Sequence, residues 1–406
     1  MSPRRVLYVT NQLPYPPWSG GQRREYEVIR RLSADYEIHL MTIGRLARYS
    51  QVSVNAAVAA TGVASVTVVP STDAIPHLPP RMREHYSPFA RPMIGSMLSQ
   101  SKFDLVHVEG FFHMQSLPEE LIEPVVLLEE NIEFDLQRQY EAVTGNPYQL
   151  DWRACRDYEV AAWRQAAVIG VVSEEDLASV NAVRTSRPGM VVPLGADHIV
   201  ASGSPPPRLE RETVTIGFLG NFRWLPSEDA ARYLICHVWS ALLGAVPHAR
   251  LTLIGAGASK ELRSLIADTP QTMLAENIED VGPQLRTLDM FCCPLRIGGG
   301  VKIKIYEALA AGCAIVSTPQ GAQGLAEAVR DALIVVDPVD RLAGKMADLI
   351  GDPGHLRSLQ HRALHASTLL PTWDTATVWQ RSLWEAAAAG QPSLKTTSTH
   401  GEAINE

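Results

Sequence analysis

The chain has 406 residues, 46% hydrophobic and 20% charged, which excludes a disordered or fibrous protein and predicts two cores. A net charge of −8 excludes a broad basic face for nucleic acid, so any cationic site is local. Five cysteines, odd in number and without paired metal-ligand spacing, exclude a disulfide framework or zinc site and fit a reducing, cytoplasmic compartment.

In chain order, short β-branched runs alternate with longer helical patterns. Segments 6–10, 37–42, 66–69, 105–108, 125–128, 168–172 and 191–194 read as buried strands of a first domain, residues 1–200. No apolar run reaches the roughly 18 residues of a membrane span, and residues 1–5 lead straight into a strand rather than forming a signal peptide. Segment 81–102 mixes basic residues with Tyr86, Phe89, Met93, Met97 and Leu98. It predicts a packed surface helix after Pro92, with peripheral contact at the inner face of a membrane as the alternative.

Residues 201–212, with Pro205, Pro206 and Pro207, have the composition of a connector. The pattern then restarts in a second domain, 213–371, with strands at 215–219, 250–254, 278–281, 289–293, 314–318 and 333–336, and helices at 227–243 and 304–311. Trp373 opens a last helix reaching residue 389; the 372–390 stretch is expected to cross back to the first domain, and the polar tail 391–406 is expected to stay unfolded. The whole predicts an α/β protein of two doubly wound parallel sheets facing a cleft, with ligands at the C-terminal ends of the strands.

The strongest chemical signal is 294–318, which reads strand, triple glycine, helix, glycine stop, strand. Gly298, Gly299 and Gly300 let backbone approach a ligand and aim unpaired N–H groups at it, the way helix starts hold phosphate. Lys302 and Lys304 fall in the first turn, where the helix dipole disfavours cations by about 0.3–1 kcal/mol, so a bound anion such as a diphosphate would balance them. Glu307 lies one turn on and either accepts hydrogen bonds from sugar hydroxyls or forms a solvated pair with Lys304.

This segment resembles the signature of glycosyltransferase family 4, whose members are retaining enzymes of GT-B fold that use nucleotide sugars. Other pieces follow in the family's order: the first strand before Gly20-Gly21, Pro193-Leu-Gly-Ala-Asp197, Gly217-Phe-Leu-Gly-Asn-Phe-Arg223 and Gly321-Ala-Gln-Gly-Leu325. The resemblance spans roughly residues 4–390. It implies an acceptor-binding first domain and a nucleotide-sugar-binding second domain, both Rossmann-like. Arg223 and Lys302 would clamp the diphosphate, Glu307 would hold the ribose, and Gly20, Gly21, Asn221, Gly298, Gly299, Gly300, Val301 and Lys304 would surround the donor. A uridine diphosphate sugar is the expected co-substrate, with no cofactor and no metal, in keeping with the lack of any Asp-x-Asp in the chain. Domain closure, hinged within 193–212 and before Trp373, would exclude water.

Two positions depart from the family pattern. Gly299 stands where relatives carry a glutamate, and Glu130 where a Glu-His-Asn segment has histidine; Glu130 would grip a donor hydroxyl or an amino group, or sit solvated. Arg23, Glu109, His113 and Asn131 are candidates for the hydroxyl-bearing acceptor, a glycan, glycolipid or small natural product. Arg23 and Arg24 open a helix and face either substrate or solvent, and His113 is either a base or a surface residue. Ile254-Gly-Ala-Gly257 reads as a tight turn, and Cys292 and Cys293 as inert packing. A nucleotide-sugar epimerase of the same fold and a noncatalytic relative are the rival readings.

Overall fold

The computed structural model describes residues 3–44, 50–72, 80–147, 151–185, 187, 189–201, 203 and 213–390. Most of the expected connector 201–212, and the tail 391–406, therefore lie outside the described residues.

The first sheet holds seven parallel strands: β1 (Arg4–Thr10), β2 (Tyr36–Gly44), β3 (Ser65–Pro70), β4 (Leu105–Glu109), β5 (Val125–Glu129), β6 (Val168–Val171) and β7 (Met190–Val191). Their spatial order is β3-β2-β1-β4-β5-β6-β7. The second sheet holds β8 (Val214–Asn221), β9 (Ala249–Ala256), β10 (Thr272–Glu276), β11 (Met290–Cys293), β12 (Ala314–Ser317) and β13 (Leu333–Val335), in the order β10-β9-β8-β11-β12-β13. All pairings are parallel, with Val6 beside Ile38 and Leu105, and Ile216 beside Leu251 and Met290. Continuous apolar runs suit strands covered by helices on both faces, and the central residues Val6, Leu7, Ile216, Phe291 and Ile315 are fully buried.

One strand moves from its predicted place. Residues 278–281 are not a strand; the chain pairs at Thr272–Glu276 instead and enters a short helix at Gly282. The true strand is the sheet edge and only half-buried, so its apolar signal is weaker than that of Ile278 and Val281 nearby. Helix Ala90–Gln100 starts before Pro92, not after it, since a first-turn proline gives up no intrahelical bond. The helix predicted at 227–243 runs Leu225–Tyr233, passes through a π-turn at Leu234–Trp239 and finishes at Ser240–Ala245.

The last helix, Trp373–Ala388, packs on helix Gly20–Leu32 and on β4, β5 and β6. Its start is fixed twice. Thr372 caps Thr375 N through its side chain, and Asp197 Oδ1 accepts the Trp373 backbone N–H at 2.6 Å, across 176 positions of sequence. Gly195 is the neighbour that permits this, because a Cβ there would strike the Trp373 ring.

Candidate active site

In each sheet the strand order reverses once, between β1 and β4 and between β8 and β11. Loops leaving the C-terminal ends of such strand pairs diverge and open a crevice. From the first sheet come the loop after β1, ending in Gly20-Gly21, and the segment after β4; from the second come Asn221–Trp224 after β8 and the triple glycine after β11. Together they wall a cleft of about 360 Å3.

The two glycine segments converge. Gly20 starts helix Gly20–Leu32, capped by Ser19, and a Cβ on it would lie 3.5 Å from Ile303 Cδ1 at the start of helix Ile303–Ala310. Gly300 has φ +59°, in the left-handed region, and a Cβ there would collide with the Glu130 carbonyl oxygen. Gly299 sits against Asn131, and Gly298 N–H donates to Gln139 Oε1 at 3.0 Å. Neither facing helix has an acidic residue in its first turn.

Lys302 stands at the N-cap of Ile303–Ala310. It is 4% exposed, and its Nζ donates to Gly300 O at 2.8 Å. Burial pulls its pKa down to about 8. The Lys304 ammonium donates to Ser227 Oγ at 3.1 Å and lies 4.8 Å from the Phe218 ring centre; burial lowers its pKa too. The solvated Lys304–Glu307 pair is not formed.

Glu307 turns to His198 instead, with Oε1 2.9 Å from Nε2. The His198 Nδ1 lies 3.1 Å from the Trp373 indole Nε1. An indole N–H only donates, so Nδ1 accepts and the ring proton sits on Nε2, donated to Glu307. The same helix repeats the device one domain away: Trp384 Nε1 donates to His107 Nδ1 at 3.1 Å, and His107 Nε2 donates to Glu109 Oε2 at 2.9 Å.

The first domain's wall is acidic. Burial pushes Glu109 up, but the Arg24 charge and the His107 bond outweigh it and hold it low. Both its oxygens are taken, Oε1 by Arg24 at 2.6 Å and Oε2 by Tyr8 at 2.7 Å and by His107. Glu109 lines the cleft as the counter-ion of Arg24, which also donates to Gln380 at 2.7 Å and is itself buried, not exposed. Arg23 lines the cleft, with Nη1 3.5 Å from Glu27.

Glu130 lines the cleft too, its Oε1 buried without a hydrogen-bond partner; burial, then the Glu109 charge, pushes its pKa up to about 7. A Cβ on Gly21 would lie 2.6 Å from Glu130 Oε2, so the helix start packs directly against this carboxyl. His113 is not a surface residue. It is 1% exposed in the turn Phe111–Ser116, stacked edge-on to His85 at 5.4 Å, and burial lowers its pKa to about 4.

Arg223 stands in the segment after β8. It is exposed, does not line the cleft, and lies along Gly257 beyond the end of β9, while its neighbour Asn221 does face the cleft. The structure adds residues that the sequence reading left out. Glu25, fully buried on the cleft wall and accepting from Gln12 at 2.7 Å, falls in the helix's inward series with Val28, Ile29 and Leu32 and was visible there as a charge on an apolar face. His198, one residue past the Pro193–Asp197 turn, had no local signal, because its partners lie 109 and 175 positions away.

Two Rossmann-like parallel-sheet domains with a cleft between their switch points define the GT-B fold. Residues 213–352, which carry the glycine loop and both lysines, match the family model for Glycosyl transferases group 1. A phosphatidyl-myo-inositol mannosyltransferase of Mycolicibacterium smegmatis is 28% identical over 169 residues; the match spans 40% of this chain and 42% of that protein, under half of each. Among solved structures, sucrose-phosphate synthase from Thermosynechococcus elongatus superposes with a TM-score of 0.71 at 13% identity, covering 96% of this chain and 100% of that one. Anabaena HepE in complex with UDP and glucose gives 0.65 at 13% identity, covering 94% and 100%. The lipopolysaccharide glycosyltransferase WaaG gives 0.61 at 13%, covering 94% and 98%. Among the described residues no helix is long and apolar enough to cross a membrane, and no group of three or more His, Cys, Asp or Glu is placed to hold a metal ion.

Proposed function

We propose that the chain is a retaining glycosyltransferase of family 4 that moves a sugar from a nucleoside diphosphate to an acceptor hydroxyl, with a uridine diphosphate sugar as donor. The observation that carries this reading is the meeting of two helix starts, neither with an acidic residue in its first turn, with two lysines that among the described residues have no carboxylate bonded to them. An ammonium drawn out of solvent without a bonded anion is unfavourable, and a diphosphate would supply that partner. The HepE structures, of the same fold, are complexes with UDP, with UDP and glucose, and with UDP-glucose.

In this reading the bond between the anomeric carbon and the diphosphate oxygen breaks, and its electron pair goes to that oxygen. Lys302, Lys304 and the N–H groups of Gly299 and Gly300 stabilise the growing charge without reorganising. The acceptor oxygen bonds to the same face of the carbon and passes its proton to the leaving phosphate oxygen. Glu307 holds the ribose; Glu130, Asn131, Arg23 and His113 shape the space for sugar and acceptor. No cofactor and no metal take part, and the reaction runs in the cytoplasm, where a reducing environment keeps the cysteines free.

Titration calorimetry with UDP, followed by turnover of UDP-sugars with acceptor panels and with chelator, tests this. UDP is expected to bind at micromolar to low millimolar concentration, and its release is expected to require acceptor, to survive chelator and to give product of retained anomeric configuration. No UDP binding at millimolar concentration sinks the reading; epimerised sugar without acceptor would replace transfer by epimerisation.

A further inference from the structure

Glu307 is an odd place for a histidine bond. It sits in the last turn of Ile303–Ala310, its side chain is 12% exposed, and it faces the cleft, yet its Oε1 is held by a ring from the connection between the two sheets. That ring is fixed in turn. His198 is 5% exposed at the side chain and bonded on both nitrogens, and its far partner Trp373 is fully buried with its backbone N–H anchored on Asp197. Three links of 2.9, 3.1 and 2.6 Å thus tie one cleft carboxylate to the first turn of the crossing helix.

We propose that His198 is a positioning residue for the donor: it orients the Glu307 carboxylate toward the ribose hydroxyls and ties that orientation to the start of the crossing helix. This rests on the reading above, that Glu307 meets a ribose. A free glutamate end turns about its terminal torsion, which is broad and roughly two-fold. Holding Oε1 removes that freedom before the ligand arrives, so less ordering remains to be done on binding. Because His198 Nδ1 accepts, only the tautomer with the proton on Nε2 fits, and the direction of the relay is set by the indole. The bond acts on ribose alone; the phosphates meet Lys302, Lys304 and the glycine loop.

The test compares ligands with and without the ribose hydroxyls. Calorimetric titration of UDP, 2′,3′-dideoxy-UDP and inorganic pyrophosphate is run on the unmodified protein, His198→Ala, His198→Gln and Trp373→Phe. His198→Ala is expected to weaken UDP about tenfold and to leave dideoxy-UDP and pyrophosphate within about twofold. His198→Gln, whose amide can donate from nearly the Nε2 position, recovers most of the loss. Trp373→Phe keeps the ring packing, loses the indole donation and gives an intermediate loss confined to UDP. With UDP-sugar and acceptor, the donor KM rises in His198→Ala while kcat changes little.

Equal weakening of all three ligands in His198→Ala means a structural role and overturns the proposal, as does UDP affinity that does not change. Should His198→Ala not fold, the Gln and Phe variants decide on the same criterion. If the unmodified protein binds UDP no better than dideoxy-UDP, it is the ribose role of Glu307 that fails, before any variant is compared.

Discussion

Replacing Lys302 by methionine should make the empty protein more stable and ruin its site. Lys302 is 4% exposed, and its pKa falls from 10.5 to about 8. That difference corresponds to about 3 kcal/mol against the charged form. Because the folded pKa lies below the unfolded one, the folded chain holds fewer protons between pH 8 and 10.5. The penalty is therefore present in full below pH 8 and is relieved as pH rises toward 10.5. Methionine escapes the penalty but forfeits the bond to Gly300 O, worth about 1 kcal/mol, leaving a net gain near 2 kcal/mol at pH 7. Diphosphate binding should suffer the opposite change. Losing one member of a buried charge pair costs about 2–5 kcal/mol, so UDP should bind at least about 30-fold more weakly. A second signature belongs to the unmodified protein: near pH 8 UDP should draw a fraction of a proton onto Lys302, read as a dependence of binding heat on the buffer's ionisation enthalpy. Denaturant titrations at pH 7 and calorimetry supply all three quantities. A variant less stable than its parent, with UDP affinity intact, would refute the assignment of a net burial penalty to this lysine.

Gly300→Ala, with φ +59° and the Glu130 carbonyl in its way, should lower stability by about 1–3 kcal/mol and cut turnover steeply, measured by denaturant titration and UDP release. Glu130 has a folded pKa raised to about 7, so its charge costs stability once pH exceeds its ordinary value near 4.5, with the cost growing as pH rises to 7. Glu130→Gln should accordingly stabilise the protein at pH 8 and leave it nearly unchanged at pH 4.5; a gain equal at both values would show that the carboxyl does not titrate this way. Arg24→Met strands buried Glu109 and should cost about 3–5 kcal/mol, while the double change Arg24→Met with Glu109→Gln should recover much of it; additive losses would mean the two are not a pair.

The chain's alternation of short apolar runs and helical stretches was enough to expect two parallel sheets, because strands covered on both faces need uninterrupted apolar residues. The glycine loop, Lys302 and Lys304 were likewise legible, since a helix start and its preceding loop are contiguous in sequence. Edge strand Thr272–Glu276 was not, because an edge is half-solvated and its pattern weak.

What only tertiary structure decided is which charges are paired. Arg23, Arg24 and Arg223 look alike as letters. One lines the cleft, one is buried on Glu109 and Gln380, and one is exposed along Gly257. The same holds for Glu307, whose partner His198 is 109 positions away, and for Trp373 and Trp384, which the crossing helix carries to His198 after β7 and His107 on β4. Local periodicity reports which face of an element is dry. Charge pairing depends on distances between elements brought together by folding, and those distances are written in no single stretch of chain.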